Sequence, residues 1–110
     1  MLKVQIDLDI NKIISENKYT QTALSATIDK AFSNRGMKVS IDFEKGRIIV
    51  TDSGRTDDYG NLWSVIWGLA EKSWFVDNLK QWLWFNNNEG DDSVEDILSF
   101  VRANKIGTLV

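Results

Sequence analysis

The sequence predicts an α+β fold in a single domain, residues 1–110, with the order β-α-β-β-α-α. The expected architecture is a small three-stranded sheet with helices packed on one face. Three observations carry this reading. Apolar and polar residues alternate near the N-terminus and again between Val39 and Val50, the period of a half-buried strand. A helical stripe separates the two stretches. The segment Leu62 to Phe85 holds all five tryptophans, two of the five phenylalanines and four leucines, so any fold must bury it.

Val4, Ile6, Leu8 and Ile10 alternate with Gln5, Asp7 and Asp9, which gives the first strand. Asn11 to Glu16 suits a short helical turn, with Ile13 and Ile14 expected inward. Thr20 suits the N-cap of a helix over Gln21 to Asn34. Leu24, Ile28, Ala31 and Phe32 form its apolar stripe, and Gly36 stands where a left-handed terminus belongs. Val39, Ile41 and Phe43 then alternate on a second strand. Lys45-Gly46 signals a hairpin, and Ile48 and Val50 continue on the third. Asp52 to Gly60 lacks periodicity and is rich in turn formers, so a mobile surface loop is expected.

Asn61 suits the cap of the aromatic helix, with Trp63, Trp67, Ala70 and Trp74 as its buried stripe. Gly68 suggests either close packing or a weak point there. The apolar phase shifts near Asp77, so a break is expected around Ser73 to Asp77. On a continuing helix Trp82 and Trp84 point about 200° apart and cannot both face the same core, so one of them, Trp84 for preference, is expected either exposed as a partner anchor or covered by the last helix. Ser93, with Asp96 three residues on, reads as a capping box for a last helix built on Val94, Ile97, Leu98 and Val101.

Composition narrows the chemistry. The chain has no cysteine and no histidine. Disulfides, thiolate metal sites and Ser-His or Cys-His nucleophiles are therefore excluded. The glycines form no phosphate-binding loop. Asp7, Asp9, Asp42 and Glu44 fall on solvent faces of two strands and suggest a divalent-cation site, but Lys3, Lys38 and Arg47 lie on the same side and favour a solvated sheet face. No cofactor and no metal is expected, and the protein is expected not to be an enzyme. The N-terminus lacks the apolar run of a signal peptide, and no run approaches the length of a membrane span, so a cytoplasmic protein is expected.

Charge is unevenly placed. Residues 1–51 carry eight Lys/Arg against six Asp/Glu, and residues 52–110 carry five against ten. No lysine or arginine occurs in residues 81–101. An acidic half is repelled by nucleic-acid phosphates, so no direct nucleic-acid partner is expected. The profile fits a small acidic interaction protein that blocks a basic protein surface, such as that of a nuclease, a toxin or another nucleic-acid-binding enzyme. Toxin-immunity and phage anti-defence proteins share this size and charge. The expected partner-binding residues are Asp57, Asp58, Tyr59, Trp84, Glu89, Asp91, Asp92 and Glu95. The alternative is a homodimer or larger assembly module that buries the aromatic segment between protomers.

Overall fold

The computed structural model describes residues 2–86 and 93–104. Its centre is β1 (Leu2–Leu8). Next come α1 (Ile10–Glu16) and α2 (Gln21–Ser33), then the hairpin of β2 (Lys38–Asp42) and β3 (Arg47–Thr51). The chain continues through α3 (Asp58–Ala70), the single turn α4 (Ser73–Val76), β4 (Leu79–Asn86), β5 (Ser93–Asp96) and α5 (Ile97–Ala103). The strands form one antiparallel sheet in the order β2-β3-β1-β4-β5.

The sheet thus has five strands, where the sequence suggested three. The two additional strands come from segments expected to be helical. In β4, Trp82, Trp84 and Asn86 are buried, while Leu83 and Phe85 alternate to the other face. A spacing of two, which separates tryptophans on a helix, places them on one face of a strand. Trp84 is therefore inside the protein, 2% exposed, and not an exposed partner anchor. The last helix also starts later than expected. Val94 and Glu95 lie in β5, and Asp96 caps α5 by accepting from the Ser99 backbone N–H at 3.0 Å.

Val4, Ile6, Ile48, Val50, Trp82 and Trp84 share one core with Leu24, Ile28, Phe32, Leu62, Ile66, Val76, Leu98 and Val101 of the helices. Lys3, Gln5, Arg47, Ile49, Leu83 and Phe85 alternate onto the opposite face and stay partly exposed. There Asp42, Arg47, Asp7 and Gln81 fall in one cross-strand row. Arg47 donates to Asp7 at 2.9 Å, and this bond followed by the Asp7 charge holds the guanidinium pKa above its ordinary value. The remaining acids of the proposed cation site go elsewhere. Asp9 caps α1, and Asp42 accepts from the backbone N–H groups of Glu44 and Lys45 in the hairpin turn. Among the described residues no group of acids is arranged to hold a metal ion.

Several local expectations are met. Thr20 accepts from the Ala23 N–H at the start of α2, and Gly36 takes a left-handed φ of +83° after its end. The hairpin forms with Gly46 at φ +66°, although four residues, 43–46, connect Asp42 to its partner Arg47. Ile13 is buried, but Ile14 faces solvent. No helix among the described residues is long and apolar enough to cross a membrane.

Candidate functional site

The candidate site is built on the flank of α3. This helix begins at Asp58 with Asp57 in the N-cap position, four residues before the cap expected at Asn61. Its buried stripe is Leu62, Val65, Ile66, Leu69 and Ala70. The wheel is thus rotated from the expected one, and Trp67 lies 43% exposed instead of in the core. Tyr59, Trp63 and Trp67 recur every four residues and line one side of the helix.

This side meets β4 and α5 through ring contacts. Trp63 packs on Trp84 with centroids 4.8 Å apart, and Tyr59 stands edge-on to Trp84 at 5.8 Å. Trp63 also contacts Trp67 at 6.0 Å, and Trp67 meets Phe100 of α5 at 6.1 Å and 68°. The result is a ladder of five rings that runs from Tyr59 through Trp84, Trp63 and Trp67 to Phe100. Both ends are open to solvent, Tyr59 at 54% and Phe100 at 52%.

A groove of about 390 Å³ opens at the Phe100 end, lined by Trp63, Trp67, Glu95, Asp96, Ile97 and Phe100. Among the described residues its wall has two carboxylates and no cation. The carboxylates are not equivalent. Asp96 accepts from the Ser99 N–H and from the Ser99 hydroxyl at 2.8 Å, so its charge is spent on the helix start. Glu95 is exposed, and its carboxylate has no ion-pair or hydrogen-bond partner among the described residues. Glu95 pairs with Trp84 across the β4–β5 ladder, which puts both on the helix-covered side of the sheet.

The other expected partner-binding residues are dispersed. Asp57 is exposed at the start of α3 and makes no side-chain cap bond. Asp58 points inward and is 1% exposed, a correction to its expected place on an open loop. Its carboxylate accepts from the Ser53 N–H at 2.8 Å, the Ser53 hydroxyl at 2.9 Å, the Arg55 N–H at 3.0 Å and Arg55 Nε at 3.3 Å. Burial pushes this carboxyl pKa up, but the Arg55 and Ser53 donors together with the Arg55 charge outweigh it and hold it below the usual value. Arg55 also donates to the Arg35 carbonyl at 2.6 Å. The loop expected to be mobile is therefore tied to the turn after α2 and to α3. Glu89, Asp91 and Asp92 lie outside the described residues.

Trp67 and Phe100 are the candidate residues that sequence reasoning missed. The four-residue repeat 59/63/67 was visible, but a helix started at Asn61 excludes its first member. Another groove, of about 260 Å³, lies between Tyr19 and Trp74 and is lined among the described residues by Ala23, Leu24 and Thr27, while Lys12, Glu16, Lys18 and Asp77 line the cavity on the other side of the same two rings. No protein-family model, curated protein or solved structure matches the chain.

Proposed function

We propose that this chain is a non-enzymatic interaction protein that antagonises its target by covering a basic protein surface. The observation that carries the reading is Glu95, which no cation among the described residues neutralises, beside the exposed rings of Trp67 and Phe100. Aromatic anchors with an acidic rim suit a partner that is itself basic, and the rim charge speeds encounter. Asp57 and Tyr59 extend the surface at the other end of the ladder. Trp84 and Asp58 are not assigned partner contacts, because both face inward. Immunity and anti-defence proteins of the cytoplasm remain the biological class with this size and charge.

The homo-oligomeric alternative draws on the same exposed rings. Size exclusion with light scattering distinguishes the two readings, because only self-association makes mass depend on Trp67. The direct test is capture from the native lysate at low and high salt, with the wild type beside Glu95→Lys. The wild type should retain a protein of basic isoelectric point that high salt releases, and the variant should retain about fivefold less, a loss of about 1 kcal/mol. Equal capture by both would remove the groove from the interface.

A further inference from the structure

We propose that the groove between α3 and α5 is an arginine slot, in which one guanidinium of the basic partner lies on the Trp67 ring and pairs with Glu95. This deepens the reading of a basic partner and rests on it. Charge complementarity selects the occupant. Among the described residues the wall supplies carboxylates and aromatic rings but no cation, and the Glu95 carboxylate has no partner. An anion is repelled here, and a purely apolar group leaves Glu95 unused.

Arginine is favoured over lysine for a geometric reason. The Trp67 and Phe100 rings meet at 68°, so they form a corner and not two parallel walls. A flat guanidinium can stack on one ring while its edge donors reach a carboxylate. An ammonium is a compact, strongly hydrated point charge that gives up more solvation in such a corner. Other aromatic surfaces lack this combination. On the uncovered sheet face the Phe85 ring is already occupied, because Lys3 Nζ sits 4.3 Å from its centroid. At Tyr19 and Trp74 the side toward Ala23 is apolar, and on the other side the carboxylates of Glu16 and Asp77 stand with the cations of Lys12 and Lys18.

The test uses polyarginine and polylysine peptides of equal length, titrated into the full chain at fixed ionic strength. Polyarginine should bind about fivefold tighter or more, the increment of one stacked cation. Trp67→Ala should abolish that preference and leave a residual affinity common to both peptides. Trp67→Phe should restore part of it, which guards against a mere folding defect. Glu95→Gln should weaken both peptides. Equal binding of the two peptides by the wild type would overturn the slot while leaving the basic-partner reading intact. Binding of neither peptide would overturn both. Dimerisation that Trp67→Ala abolishes would assign the groove to a second copy of the chain and overturn the slot as well.

Discussion

Replacing Trp84 by alanine separates the residues that build this fold from those that present a surface. Trp84 is 2% exposed, on the inner side of β4, with Trp63 at 4.8 Å and Tyr59 at 5.8 Å. A buried tryptophan removes about 150–250 Å² from water. At about 25 cal/mol/Å² this is about 4–6 kcal/mol, an upper bound because unfolded chains already bury part of that area. Measured tryptophan truncations in cores cost about 3–5 kcal/mol, so Trp84→Ala should lose that much. Small domains have only about 5–15 kcal/mol in total, so the loss is a large share. Trp67→Ala is the internal control. With 43% exposure, the same area rule gives about 2–3 kcal/mol, and alanine returns about 0.5 kcal/mol through helix propensity. Urea unfolding followed by far-ultraviolet circular dichroism reads both without relying on tryptophan emission. The Trp84 variant should be the less stable by about 2 kcal/mol. If Trp67→Ala costs as much as Trp84→Ala, or more, the inward placement of Trp84 is wrong.

Gly68 lies in the exposed part of α3, and a methyl group there meets nothing within 4 Å. Gly68→Ala should therefore stabilise the protein by about 0.5–1 kcal/mol, seen as a raised urea midpoint with an unchanged slope. A loss of stability would mean the position packs against a neighbour. Asp58 has a folded pKa below its ordinary value of 3.8, so it contributes stability above its unfolded pKa and loses it as pH falls through the folded value. Asp58→Asn should lower stability at neutral pH and flatten the decline on acidification below about pH 4. An identical acid profile in wild type and variant would show that another carboxylate governs it.

The parts of the fold that sequence disclosed are those with one period and a local signal. The strand at 2–8, the Thr20-capped helix and the Gly46 hairpin each carry their own turn or cap chemistry. The segment 79–86 was misread for a physical reason. It follows a helix, and its apolar residues Leu79, Trp82, Leu83, Trp84 and Phe85 do not alternate cleanly, so over so short a run a strand and a buried helix present the same pattern. Only the partner strand decides between them: β1 pairs with β4 from Leu2 opposite Asn86 to Asp7 opposite Gln81, a long-range contact. The Ser93 and Asp96 signals show a related ambiguity. Ser93-x-x-Asp96 and Asp96-x-x-Ser99 both suit a helix start, and the second is used. At the candidate site, the exposed Glu95 was legible from charge alone. The corner of Trp67 and Phe100 was not, because it requires α3 and α5 to meet side by side.

Docking of a basic partner at the α3–α5 groove should be read from the indole N–H resonances. The chain has five tryptophans, each with one such signal. Titration with polyarginine should shift Trp67 and Trp63, which line the groove, and leave Trp74 and the buried Trp82 in place. Glu95→Gln should shrink those shifts. Movement of Trp74 with Trp67 unmoved would place the partner at the Tyr19–Trp74 groove and rule out docking between α3 and α5.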